Sequence, residues 1–215
     1  MNIAILGTGI VGTTIGMKLI DIEHNVMMGS RSASNEKAMA WKAKAGSNAS
    51  VGTFADAARH GEIAFNCTLG VASLEALRSA GAENLKGKIL IDVSDPLDFS
   101  KGFPPFLSVS NTDSLGEQIQ REFPDTKVVK TLNTTNTYIM VNPSLIPGEH
   151  DMFICGNDAE AKVKVEDILR TWFGWKIIYD LGDITNARAT EMLLPIWVRL
   201  YGKLSTANFN FHVVK

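Results

Sequence analysis

Asn2-Ile3-Ala4-Ile5-Leu6-Gly7-Thr8-Gly9-Ile10-Val11-Gly12 opens the chain, and Asn25-Val26-Met27-Met28-Gly29-Ser30-Arg31-Ser32 follows a helical interval. Asn2 to Leu6 is an apolar, β-branched run that predicts a strand. Val11 to Ile22 carries Ile15, Leu19 and Ile22 at helical spacing, and Asn25 to Met28 predicts a second strand. The turn between the first strand and the helix is therefore Gly7-x-Gly9-x-x-Gly12. That pattern needs all three glycines: one for the tight turn, one to let backbone approach a pyrophosphate, and one for close packing of helix on strand. The helix N-terminus then faces the anion. The competing reading is a glycine-rich turn in some other α/β fold. Position inside a βαβ unit of about thirty residues favours dinucleotide binding.

Outward from this unit, short β-branched runs keep alternating with helical patterns, as in a parallel sheet with crossover helices. Further strands are expected at Glu62 to Thr68, Lys88 to Val93, Lys127 to Leu132, Asp151 to Cys155 and Lys176 to Tyr179. The expected fold is α/β, a Rossmann-type doubly wound, mostly parallel sheet of about eight strands, with a C-terminal helix and short tail. The expected division is a dinucleotide-binding domain over residues 1–185, with residues 186–215 packing on it or on a partner subunit. No internal repeat or low-complexity tract interrupts this order. Between Asp95 and Asn111 the helical period stops, and Pro96, Gly102, Pro104 and Pro105 appear among Phe99, Phe103 and Phe106. This long loop follows the carboxyl end of a strand, where ligands of open α/β sheets bind. The apolar helix expected from Ala187 through Leu204 is followed by Phe209, Phe211 and Val213, alternating as a strand would. So much apolar surface at a chain end predicts a homodimer.

The end of the second strand selects the cofactor. Folds of this kind that prefer NAD place an acidic residue there to bind the ribose 2′-hydroxyl, which also repels a 2′-phosphate. Gly29-Ser30-Arg31-Ser32 has none, and offers a guanidinium and two hydroxyls instead. NADP(H) is the expected cofactor, with Ser30 and Arg31 at the 2′-phosphate and Lys37 as a weaker phosphate candidate. The alternative is that Ser30 caps the next helix and Arg31 is a solvated surface charge.

Composition narrows the partners. The 215 residues are 45% hydrophobic and 20% charged, with a net charge of −2. The isoelectric point is near 6.1 and the mean hydropathy is +0.04. There is no cationic field for nucleic acid or acidic lipid, and no apolar run long enough for a membrane span. The start lacks the basic segment of a signal peptide, so a cytoplasmic location is expected. Cys67 and Cys155, the 2 cysteines, lie in apolar runs and suit buried reduced thiols. His24, His60, His150 and His212 are too scattered for a local metal site, so no metal is expected. Asp92, Asp95 and Asp98 fit turn and cap residues better than a calcium loop.

Across nearly its whole length the chain resembles the predicted dinucleotide-binding proteins grouped with the NADPH-dependent reductase of the deazaflavin coenzyme F-420. The resemblance rests on Ile5-Leu6-Gly7-Thr8-Gly9 with Gly29-Ser30-Arg31, and on Asn111-Thr112-Asp113-Ser114-Leu115-Gly116-Glu117. It continues in Val129-Lys130-Thr131-Leu132-Asn133-Thr134, Cys155-Gly156-Asn157-Asp158, Asp180-Leu181-Gly182-Asp183, and Arg188-Ala189-Thr190-Glu191-Met192-Leu193-Leu194-Pro195. The reductase domain of the six-transmembrane epithelial metalloreductases is similar at Asp92-Val93-Ser94 and Asn133-Thr134. The resemblance implies pyrophosphate contacts from Thr8, Ile10 and Val11, a wall from Thr68 and Leu69, and Asn133 and Thr134 near the nicotinamide. Unless they line that site, Asn133 and Thr134 would be a polar strand end capping the next helix. Where the deazaflavin reductase has a proline and a tryptophan, this chain has Leu69-Gly70, so the second-substrate pocket is not carried over. The implied activity is hydride transfer between NADP(H) and a flavin, deazaflavin or related small acceptor. In such transfer the protein mostly holds two rings in contact, and no catalytic residue is assigned. A binding module that senses NADP(H) without turnover is the alternative.

Overall fold

The computed structural model describes residues 1–215. The opening glycine stretch forms strand, turn and helix: β1 (Asn2–Leu6), α1 (Ile10–Asp21) and β2 (Asn25–Ser30). The chain then winds outward through α2 (Glu36–Ala45) to the edge strand β3 (Ala49–Thr53), and returns through α3 (Phe54–His60) to β4 (Ile63–Asn66) on the far side of β1. It continues through α4 (Gly70–Ala80), α5 (Ala82–Leu85) and β5 (Ile89–Asp92). A small hairpin, β6 (Leu97–Asp98) and β7 (Phe106–Leu107), stands in the long loop before α6 (Leu115–Glu122) and β8 (Lys127–Thr131). The remaining elements are α7 (Thr137–Val141), β9 (Asp151–Gly156), α8 (Ala159–Ile168), β10 (Ile177–Asp180), α9 (Ala187–Met192) and α10 (Leu194–Leu204).

The sheet has eight strands in the order β10-β9-β8-β5-β4-β1-β2-β3. All neighbours are parallel except β8 and β9, which run antiparallel. This is the doubly wound, mostly parallel sheet expected from the sequence. Strand order reverses between β1 and β4, and the reversal opens a crevice at the carboxyl ends of those strands. The central strands are apolar on both faces because helices cover both. Ile3 and Ile5 of β1 point into a core shared with Leu19, Trp41, Ile139 and Trp175, whereas Ala4 and Leu6 point into one shared with Phe54, Leu77 and Ile119. No helix is long and apolar enough to cross a membrane.

Three elements differ from expectation. β3 was not anticipated, because Ala49-Ser50-Val51-Gly52-Thr53 is poor in strand-forming residues; its pairing with β2 makes it a strand. The C-terminal helix is two, because Pro195 lacks the N–H that would continue the α9 ladder and sits instead in the first turn of α10. The tail is not a strand. The Asp151 N–H donates to the Phe211 carbonyl at 2.9 Å and the Val213 N–H donates to Asp151 Oδ2 at 2.6 Å, while Phe209 stacks on Trp197 with centroids 5.1 Å apart. One backbone bond and side-chain clasps therefore hold the tail without a ladder.

Candidate functional site

The glycine loop divides its three glycines between packing and access. Gly7 has φ of +120°, and a Cβ there would lie 2.6 Å from the Cys67 carbonyl oxygen. A Cβ on Gly12 would lie 2.3 Å from the Gly7 carbonyl oxygen. These two positions admit only glycine because backbone presses on them. Gly9 is different: it is the N-cap of α1, has ordinary extended backbone, and a Cβ there would meet nothing within 4 Å. No side chain caps α1 and its first turn carries no acidic residue, so the N–H groups of that turn face open space. Ile10, exposed, stands at the rim, and Val11 packs back against the core.

A cleft of about 360 Å³ lies at the strand reversal, lined by Gly7, Thr8, Gly9, Ser30, Arg31, Thr68 and Leu69 together with Glu75 of α4. Ser30 is buried and its hydroxyl donates to the Ser32 carbonyl at 2.7 Å, which fixes the turn after β2. The cap of α2 is Asn35, whose side chain accepts from the Ala38 N–H at 3.1 Å, so Ser30 is not a helix cap. Arg59, Arg78, Arg121, Arg170 and Arg188 are each held by a carboxylate; Arg31 is exposed at the cleft and is not. Lys37 faces the neighbouring groove with Ile10 and Trp41 instead.

Behind the cleft, the carboxyl ends of β4, β5 and β8 hold a buried polar cluster. The Lys130 ammonium, fully buried, lies 2.9 Å from Asp92 Oδ2 and 3.0 Å from Glu191 Oε1, and it also donates to the Ser94 carbonyl. Burial opposes this charge, but Asp92, Glu191 and Asp95 together hold the Lys130 pKa above the ordinary lysine value. Asn66 donates to Asp92 Oδ1 at 2.8 Å and accepts from the Thr68 hydroxyl at 2.7 Å, so the cluster reaches the cleft wall. Glu191 also accepts from the Leu115 and Gly116 N–H groups at 2.9 and 3.0 Å, anchoring α9 on the N-terminus of α6. Asp92 serves the turn expected from its spacing, its Oδ1 accepting from the Ser94 N–H at 3.2 Å, and is an interior ion-pair partner as well. Asp98 also serves a turn, accepting from the Ser100 N–H at 2.7 Å. Cys67 and Cys155 are buried free thiols, as expected, and burial pushes both above the ordinary thiol range.

Asn133 and Thr134 follow β8 after Leu132, whose φ is +66°. They do not line the cleft of Arg31, and stand instead at the carboxyl ends of the second half of the sheet. The helix that follows is capped by Asn136, which accepts from Tyr138 and Ile139, so neither is a cap. The Asn133 amide donates to Asp95 Oδ1 at 2.8 Å. Asn133 Oδ1 and the hydroxyls of Thr134, Thr135 and Thr137 are buried with no partner. Buried polar atoms are nearly always satisfied, so these four orphans are a departure that the polar groups of a bound ligand or of ordered water would remove.

An NADP molecule fits these features: backbone N–H groups behind a bare Gly9, an unpaired guanidinium at the end of β2, and orphaned polar atoms beyond β8. Sequence reasoning missed Asp92, Lys130, Glu191 and Asp95 as a unit. The available signal was a lysine closing the Val128-Val129 run and an aspartate closing Ile89-Leu90-Ile91, since charge inside a central parallel strand must find a buried partner.

Residues 2–96 match the family model for NADP oxidoreductases, coenzyme F420-dependent. A protein of Arthrobacter sp. FB24, whose crystal structure carries the provisional description F420-dependent NADP reductase, is 49% identical, with 100% of both chains covered and a TM-score of 0.95. The F420-dependent NADP reductase of Methanocaldococcus jannaschii is 29% identical over 209 residues, 93% of this chain and 92% of that protein. The metalloreductase STEAP3 of Rattus norvegicus is 31% identical over 121 residues, 54% of this chain and 22% of that protein. End-to-end likeness in sequence and fold, with the glycine loop inside the matched segment, means that the chain belongs to the coenzyme F420-dependent NADP oxidoreductase family.

Proposed function

We propose that this oxidoreductase binds NADP(H) in preference to NAD(H) and exchanges hydride with a flavin, deazaflavin or related small acceptor. The observation that carries the cofactor reading is Arg31: a guanidinium with no carboxylate partner, at the end of β2, beside a buried Ser30. The pyrophosphate would lie on the N-terminus of α1, against Gly7, Thr8, Gly9, Ile10, Val11 and Gly12. Arg31 would hold the 2′-phosphate by charge-assisted bonds, beside Ser30, whose hydroxyl would turn from the Ser32 carbonyl to donate to it. Thr68 and Leu69 would wall the site, and Asn133 and Thr134 would meet the nicotinamide end. When bound, the reduced cofactor supplies the hydride. The chain's own part is to seat the ring over β4, β5 and β8 and to keep it dry.

The test is NADPH oxidation against F420, FMN, FAD, quinones and ferric chelates. Turnover with at least one conjugated ring is expected; NADPH that binds and is oxidised with none of them overturns the hydride-transfer reading. The buried free thiols agree with the reducing conditions of the cytoplasm.

The functional unit is proposed to be a homodimer. α10 buries only Leu194 and Val198 and leaves Ile196, Tyr201 and Leu204 exposed. Light scattering at micromolar concentration should give about twice the 23.4 kDa of one chain, and the single-chain mass would refute pairing.

A further inference from the structure

We propose that Asp95 is the proton donor to the acceptor, and that the acceptor is therefore one that takes hydride at one atom and a proton at a conjugated nitrogen or oxygen. The inference rests on the reading under Proposed function and names the acceptor class that the same site would serve.

A dinucleotide on a doubly wound sheet places its second half over the second set of strands, here β4, β5 and β8. Asp95 follows β5 and is pressed against the first turn of α4, where a Cβ on Gly70 would lie 1.9 Å from the Asp95 carbonyl oxygen. Its Oδ1 accepts from Asn133 Nδ2 at 2.8 Å, and Asn133 Oδ1 is an orphaned acceptor, 2% exposed as a residue. The carboxyl is thus held by the side-chain amide whose oxygen has no partner in the protein. Asp95 is only half-buried and Oδ2 has no protein partner, so that oxygen is available to a bound molecule and to solvent.

The charges around this carboxyl favour its protonated form. The charged groups facing it are Asp92 of β5, Lys130 of β8 and Glu191 of α9; the first turn of α4, Gly70-Val71-Ala72-Ser73, has none. The single ammonium is already salt-bridged to Asp92 and Glu191. Asp95 is a third carboxylate beside this cluster and has no cation contact of its own, so little offsets the cost of holding its charge there. Burial raises the Asp95 pKa well above the ordinary carboxylate value despite the pull of Lys130 and the Asn133 bond, and Glu191 and Asp92 raise it further.

The step balances. The acceptor gains hydride with its electron pair as the C–H bond of the reduced nicotinamide breaks. Its conjugated nitrogen or oxygen takes the proton from the Asp95 O–H, whose electron pair stays on the carboxylate. Asp95 then recovers a proton from water through its exposed side. In the reverse direction the carboxylate is the base.

The experiment compares wild type with Asp95→Asn, which keeps the acceptor for Asn133 and removes the proton. Infrared difference spectra of the two proteins at neutral pH, taken without any acceptor, should show a protonated-carboxyl band belonging to wild type. NADPH affinity should agree within about threefold. Single-turnover hydride transfer should fall about 100-fold or more. The wild-type rate should decline as pH rises through the Asp95 pKa, and that decline should vanish in the variant. A missing carboxyl band alongside wild-type turnover overturns the donor role alone. So does a variant rate within threefold of wild type, or a loss of NADPH affinity that accounts for the rate. Wild type that binds NADPH and turns over with no acceptor overturns the parent reading and the donor role with it.

Discussion

Replacing Lys130 with methionine should lower the stability of the fold by about 3–5 kcal/mol, because removing one partner of a buried ion cluster leaves the others uncompensated. Lys130 is fully buried between Asp92 and Glu191 at 2.9 and 3.0 Å, and both carboxylates are themselves buried. Methionine fills a similar volume, so packing is nearly kept and the loss reads out charge. For a chain of this size the change corresponds to a fall in Tm of about 6–20 °C. Glu191 also caps α6 through Leu115 and Gly116, so loosening it should free α9 from the sheet. Adding Asp92→Asn and Glu191→Gln to Lys130→Met should recover part of the loss, since the stranded charges are then gone. Urea unfolding of the single and triple variants is the measurement. A loss below about 1 kcal/mol in the single variant would show that the cluster does not hold the carboxyl ends of β5 and β8 together.

The second large effect is on binding, and it separates two glycines only three positions apart. Gly9→Ala should fold as wild type does, because its Cβ meets no protein atom within 4 Å. The same methyl stands where an anion would approach the first turn of α1. Losing one or two charge-assisted contacts to backbone, at about 1.5–3 kcal/mol each, should weaken NADPH binding about 100-fold or more. Gly12→Ala should do the opposite: a Cβ 2.3 Å from the Gly7 carbonyl oxygen must move backbone, so the protein itself is destabilised. Calorimetry and thermal melting on both variants check this. Unchanged nucleotide affinity in folded Gly9→Ala would leave the loop a packing device only.

Most of the fold, and the residues that line the cleft at the strand reversal, could be read in the sequence. β1, α1 and β2 follow from local periodicity and from glycines at fixed offsets, and both signals are short-range. Gly7, Thr8, Gly9, Ser30, Arg31, Thr68 and Leu69 converge on one cleft because a parallel sheet brings successive strand ends to one edge. β3 was illegible because its strand character comes from pairing with β2 and not from its own side chains. The break before α10 was written in Pro195, within a pattern otherwise continuous enough to hide it. The tail alternates like a strand, yet is held by Asp151 and by stacking on Trp197, contacts that no periodicity announces. The Asp92–Lys130–Glu191 cluster joins residues far apart in sequence through tertiary contact. Each was visible as a charge in an apolar setting, but their partnership was not.

The central claim is that the end of β2 selects the 2′-phosphate. It is tested most directly by calorimetric titration of the wild-type protein with NADPH and with NADH, repeated on Arg31→Ala. Loss of a charge-assisted phosphate contact is worth about 1.5–3 kcal/mol, so NADPH should bind about ten- to a hundredfold more tightly than NADH, with the advantage largely erased in the variant. Equal affinities for the two nucleotides in wild type, or an NADPH affinity untouched by Arg31→Ala, would contradict the account.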